Sequence, residues 1–182
     1  MSNRRKFLNN SAPGISGIPF ISIPEFLPGN QEGQPAIVKQ SQDCEIFFVR
    51  ENTPITFNIS RTTDHVPVIS LLTEELLPGS TIPAHKHLNN DEYFFFITGK
   101  GSMIVDENAF PFSAGTTAFV PKATWHEIKN TGDDKVILCF GYSPAGFEDF
   151  FREVGTPKGQ EFTPKPKEEF DAIAKKYGMV FK

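Results

Sequence analysis

The stretch "HKHLNNDEYFF", residues 85 to 95, sets two histidines one residue apart and two acids just ahead of a run of aromatics. The chain has only four histidines, His65, His85, His87 and His126. On a strand, side chains alternate between faces, so His85 and His87 share one face while Lys86 takes the other. Pro83 stiffens the approach and Gly79 permits the turn before it. After "LNND" the chain turns, and Glu92 opens a new strand. With Glu92 turned inward, Phe94 and Phe96 point inward too, while Tyr93, Phe95 and Ile97 point outward. Two neutral imidazoles and a carboxylate form part of a coordination sphere for a borderline divalent metal. The plainer alternative is a surface histidine pair beside a solvated acid.

Elements of some kind must carry these groups, and the pattern of the chain says which. From Asp43 onward short apolar runs such as "EIFFV", "ITFNI", "EYFFFIT", "SMIVD" and "VILCFGY" alternate with turn formers such as "LPGS", "TGKG" and "NTGDD". This rhythm predicts an antiparallel sandwich or small barrel and not alternating helix and strand. The 19 phenylalanines, with many Val, Ile and Thr, lean the same way. Beyond Tyr142 the period changes. Phe147, Phe150, Phe151 and Val154 fall at helical spacing, with Ser143 or Pro144 opening the helix and Gly155 closing it. Phe170, Ile173, Ala174 and Tyr177 form a second apolar stripe, ended by Gly178. Both stripes read as packing surface. At 182 residues the chain suits one domain with a full core. A net charge of -4 gives no footprint for nucleic acid, and no apolar run reaches the roughly 20 residues of a membrane-spanning helix. Cys44 and Cys139 form no CxxC pair, and spacing alone leaves a disulfide between them open.

Gly79, His85, His87, Glu92 and Gly99 fit G-x5-H-x-H-x4-E-x6-G without a gap. Gly115, Pro121, His126 and Asn130 fit G-x5-P-x-G-x2-H-x3-N, with Ala123 where the pattern has Gly. These two stretches resemble the signature motifs of the cupin superfamily. The resemblance implies an all-β, double-stranded β-helix (jelly-roll) barrel, here with two short C-terminal helices. It also implies that His85, His87, Glu92 and His126 hold one metal ion inside that barrel. Pro121 would shape the turn before His126, and Asn130 would serve a turn at the strand end. His65 has no place in either motif. Asp91 and Glu127 adjoin ligands, but strand alternation turns both away.

Three imidazoles and a carboxylate leave positions open on a five- or six-coordinate ion, whereas a structural tetrahedral zinc would be closed. Iron, manganese, nickel, cobalt, copper and zinc all suit this donor set. Alternation gives the ion an apolar inward wall of Phe94, Phe96 and Ile128, with Phe140 beyond, suited to a planar small-molecule substrate. The tail "SPAGFEDFFREVG" and "EEFDAIAKKYGM" is similar to single-domain cupins grouped with flavonol dioxygenases of the quercetinase type. That likeness implies a metal-dependent dioxygenase in which Glu92 doubles as general base. Two other readings stand beside it: a metal-dependent binding or sensing barrel without turnover, and another cupin reaction such as sugar-phosphate isomerisation or oxidation of a small acid. Lys86, Lys100 and Lys122 lie at turns or on outward faces, which leaves few inward cations for a phosphate. The outward apolar face of Tyr93, Phe95 and Ile97 calls for cover, by a homodimer partner, the N-terminal arm or the C-terminal helices.

Arg4, Arg5, Phe7 and Leu8 look like the core of a twin-arginine export signal, although Asn3 and Asn9 depart from it and prolines interrupt the apolar stretch. As a signal it predicts an exported or periplasmic protein. As an extended arm it leaves a cytoplasmic one. The expected organisation is a leader or arm and linker over 1–36, a barrel over 37–145 and a helical extension over 146–182.

Overall fold

Twelve strands and three α-helices follow a 3-10 turn at Ser41–Asp43 in the computed structural model, which describes residues 35–182. The twin-arginine stretch lies outside the described residues. The first half runs β1 (Glu45–Arg50), β2 (Thr53–Ile59), α1 (Arg61–Asp64), β3 (Leu71–Leu76), β4 (Thr81–His87), β5 (Asp91–Thr98) and β6 (Lys100–Val105). The second runs β7 (Asn108–Ser113), β8 (Thr117–Val120), β9 (His126–Asn130), β10 (Val136–Ser143), α2 (Asp149–Val154), β11 (Thr156–Pro157), α3 (Lys167–Lys176) and β12 (Met179–Phe181).

The strands form two antiparallel sheets. One has the order β11-β1-β2-β3-β10-β5-β8 and the other β12-β4-β9-β6-β7. The sheets face each other, since Phe96 on β5 stacks on Phe112 of β7 with ring centroids 3.8 Å apart. Neighbours such as β10 and β5 are distant in sequence, so the connections cross from sheet to sheet, as the expected jelly roll requires. Alternation does the sorting. Leu72, Glu74 and Leu76 on β3 are buried between half-buried neighbours, and Glu92, Phe94 and Phe96 on β5 are buried while Phe95 and Ile97 are exposed. Each large apolar side chain removed from water contributes roughly 1.5–3 kcal/mol.

Glycines stand where the turns need them. Gly79, Gly99 and Gly115 have φ of 77°, 79° and 88°, the left-handed region open to them without a Cβ penalty. Ala123, in place of a motif glycine, adopts φ 65° all the same. Its amide is fixed by a 2.6 Å hydrogen bond to the His87 carbonyl.

Both expected C-terminal helices are present, with two corrections. The first begins at Asp149, not at Ser143 or Pro144. Residues 144–148 turn instead, held by the buried Glu148 carboxylate, which accepts the Gly146 and Arg61 amides at 2.7 Å each. The second correction is that two short strands accompany the helices. β11 extends the larger sheet beside β1, and β12 pairs with β4 in the register Met179↔His87 and Phe181↔His85.

Candidate metal centre

The histidine pair sits near the C-terminal end of β4, where strand alternation buries His85 and His87 and leaves Lys86 over the Trp125 ring. His126 opens β9 directly opposite His85. The turn before it is closed by the Thr124 amide donating to the Pro121 carbonyl at 3.2 Å. Three imidazoles therefore project from the smaller sheet. The fourth group, Glu92, comes from β5 in the larger sheet, so the site bridges the two layers. Imidazole centroids lie 4.2 Å (His85–His126), 5.0 Å (His85–His87) and 5.7 Å (His87–His126) apart. One ligand atom from each of the four residues lies within 4.8 Å of the others, and all four residues are buried.

The detailed geometry fits a cation. Glu92 Oε2 is 2.8 Å from His126 Nε2 and 3.2 Å from His87 Nε2. Those separations are short enough for hydrogen bonds, yet all three atoms lack an aligned hydrogen-bonding partner. The atoms converge on a common point rather than on one another. Two donors each about 2.1 Å from one ion and at right angles sit about 3 Å apart, which matches. Tautomers agree for two rings. His85 Nδ1 lies 2.7 Å from the Pro83 carbonyl and His126 Nδ1 3.2 Å from the Thr124 carbonyl, so each Nδ1–H donates and leaves Nε2 free to ligate.

Electrostatics sharpen the set. Burial, then the neighbouring imidazoles, push His85 down to about 3, which keeps it neutral as a ligand must be. Burial alone would raise Glu92, but His87 and His126 outweigh it and hold the carboxylate below its usual range. Burial opposes a charge on His126, and Glu92 reverses this and raises it. Glu92 is thus an anion among imidazoles, the charge state that draws in a divalent ion.

Beside the cluster opens a cavity of about 280 Å³. Of the four expected wall residues, Phe94, Ile128 and Phe140 line it. Phe96 does not; its ring is spent against Phe112 and it fills the barrel core. The helical aromatics are not mere packing surface, because Phe147, Phe150, Phe151 and Phe170 line the same cavity, with Phe181 of β12. Phe147 stands 4.2 Å, centroid to centroid, from His87. Tyr142 was not foreseen; it lies under His87, and burial, then Glu92, raises its phenol well above the ordinary range. Arg50 and Glu74, an ion pair in the wall, were also missed. The expectation of few inward cations, argued from lysines, overlooked this arginine.

The remaining candidates fall outside the cluster. Asp91 accepts the Lys122 amide at 2.9 Å, and Glu127 is only half-buried. His65 is exposed at the end of α1. Asn130 is fully buried and holds a turn, its Nδ2 donating to the carbonyls of Leu76 and Asp134 and its Oδ1 accepting the Gly132 amide. Cys44 and Cys139 are free thiols.

Comparison with known proteins gives a consistent picture. The family model described as "Cupin domain" matches residues 72–141, which include all four cluster residues. An uncharacterized protein of Methanocaldococcus jannaschii, MJ1618, is 36% identical over 115 residues, covering 62% of this chain and 92% of that protein. Oxalate decarboxylase OxdC of Bacillus subtilis is 31% identical over 96 residues, 50% of this chain but only 23% of the enzyme. Among solved structures, KdgF from Halomonas sp. superposes with a TM-score of 0.55 at 13% identity, covering 63% of this chain and 99% of that one, a likeness of fold alone.

Proposed function

Because this chain belongs to the cupin family, we propose that it is a mononuclear metal-dependent dioxygenase for a small planar substrate of the enol or flavonol type. The observation that carries this reading is the convergence of His85, His87, Glu92 and His126, three of which, His85, His87 and Glu92, line a cavity whose other walls are mostly aromatic. A bound divalent ion would supply Lewis acidity and open positions for oxygen donors. Everything else falls to the protein. Phe94, Phe140, Phe147 and Phe151 present ring faces and edges to a flat ligand and keep water out. Glu92, ionised across the physiological range, is placed to accept the proton of a substrate hydroxyl beside the histidines. Tyr142, kept protonated, offers a donor rather than a second anion.

The test is oxygen uptake by protein loaded in turn with iron, manganese, nickel, cobalt, copper and zinc, against a panel of flavonols and β-diketones, with metal content measured on the same samples. Uptake that needs both metal and an enol-bearing compound supports the reading. No uptake with any panel member at full metal occupancy replaces it with a binding barrel that performs no turnover.

A further inference from the structure

Five buried side-chain polar atoms lack a hydrogen-bonding partner among the described residues, and four of them belong to His87, Glu92 and His126. The fifth is Nε of Arg50, in the wall of the same cavity. Arg50 ends β1, where the β1–β2 hairpin turns, and its guanidinium Nη2 pairs with Glu74 Oε1. Its side chain is 34% exposed and that of Glu74 only 5%, so the pair runs inward from the cavity rim. Glu74 occupies a core position between Leu72 and Leu76, both fully buried. A buried ion pair is poor value as a source of stability, since an apolar pair of the same size does as well or better. Among the described residues, Arg50, Glu74 and the ligand Glu92 are the only charged ones in the lining. Cavities of this kind place a few polar groups where a ligand's polar ends must go.

On the reading that the metal cluster binds substrate oxygens, we propose that Arg50 binds the other end of the same molecule, and that the substrate is an aromatic carboxylate. Glu74 engages Nη2 and leaves the other guanidinium N–H groups of this partly exposed side chain for the ligand. A single guanidinium already half neutralised by Glu74 suits one planar monoanion, a carboxylate, better than a phosphate dianion. The spacing is also right. Glu74 lies opposite Leu138 on one side of β10 and Glu92 opposite Tyr142 on the other, so about 13 Å along the strand and about 10 Å across it separate their backbones by roughly 16 Å. Inward-reaching side chains at both ends shorten this to the length of one ring with a short acid arm. Burial, with Glu92 adding to it and Arg50 opposing, raises the Glu74 carboxyl, so it competes weakly for Arg50 once a stronger acid arrives.

The test is isothermal titration of the full chain loaded with zinc, which is redox-inert, using caffeate and caffeic acid methyl ester. Both carry the same catechol for the metal, and only caffeate carries the anion. The wild type should bind caffeate at least about tenfold tighter than the ester, the scale of a hydrogen bond to a charged group. Arg50→Met should bring the two within about twofold at unchanged zinc content, and Arg50→Lys should keep part of the preference. Arg50→Met strands Glu74, so Arg50→Met with Glu74→Gln, which removes the pair as a unit, guards against misfolding. A wild type that binds both equally, or a double variant that keeps the preference, overturns the proposal. Repeating the titrations after EDTA separates the two ideas. Ester binding indifferent to zinc sinks the metal-site reading, while the Arg50 dependence of caffeate binding still decides this one.

Discussion

Stripping the metal should cost the fold several kcal/mol, and the amount can be bounded from the site. Three ligand atoms, His87 Nε2, Glu92 Oε2 and His126 Nε2, are buried and unpartnered. Each such atom left unsatisfied costs about 1–3 kcal/mol, so an ion that engages all three returns roughly 3–9 kcal/mol before its own dehydration. Linkage gives an independent figure: free metal at 1,000 times its Kd stabilises the native state by about 4.1 kcal/mol. For a chain of this length each kcal/mol moves Tm by about 2–4 °C, so metal should raise it by roughly 8–16 °C. The assay is differential scanning calorimetry of EDTA-treated protein with and without a divalent metal. The control is His87→Ala, read as its own metal-induced shift, so that the cost of the cavity left by the imidazole cancels. The variant should lose most of the shift. If Tm stays put at full occupancy, or His87→Ala gains as much as wild type, the convergence of these atoms has nothing to do with a cation.

Three further outcomes follow from other parts of the molecule. Ala123→Gly should raise stability by about 1 kcal/mol in urea unfolding, because the left-handed φ of 65° costs an alanine roughly 1–2 kcal/mol, less the extra freedom glycine gives the unfolded chain; a destabilised variant would refute it. All three tyrosines should resist ionisation in an alkaline absorbance titration, Tyr93 being pushed up to about 12 by burial, and Tyr142 and Tyr177 also raised. Unfolded phenols ionise near 10, so the folded chain keeps protons the unfolded one has lost, and stability should be full below pH 10 and fall as pH rises toward 12; a normal titration near 10 in the native state would contradict this. Phe95, Ile97 and Phe119 stand 46%, 43% and 64% exposed on neighbouring strands of the larger sheet, uncovered by the C-terminal helices. Light scattering at micromolar concentration should therefore give twice the 20.3 kDa chain mass, and Phe119→Asp should halve it; a monomeric wild type would exclude this face as a homodimer contact.

The ligand set was legible because period-two alternation and the spacing of two motifs act locally, and each fixes a side chain's face without knowledge of the rest. The same alternation assigned Phe94, Ile128 and Phe140 to the wall. It erred on Phe96, since facing inward does not say whether a ring meets a cavity or another ring, and that depended on Phe112 in the opposite sheet. Arg50 and Glu74 escaped notice because each is unremarkable in its own strand and matters only through a partner 24 positions away. The "MVF" strand was hidden behind a helix-ending glycine and is three residues long, too short for any periodicity to declare itself. Phe150, Phe151 and Phe170 were correctly placed on helices, while Phe147 falls in the turn before α2 and Tyr177 caps α3, and periodicity reports a buried face and not what that face is buried against.

Pairing of β12 with β4 has a consequence for how the protein is made. On the ribosome, His85, His87, Glu92 and His126 emerge well before Met179–Phe181, so a nascent chain presents its histidine strand with one hydrogen-bonding edge bare. Until residues 179–181 are added, that edge is a template for any passing strand, and Phe181 is missing from beside His85. Metal loading during synthesis would therefore meet an unfinished sheet, and removal of residues 179–181 would return the folded molecule to that state.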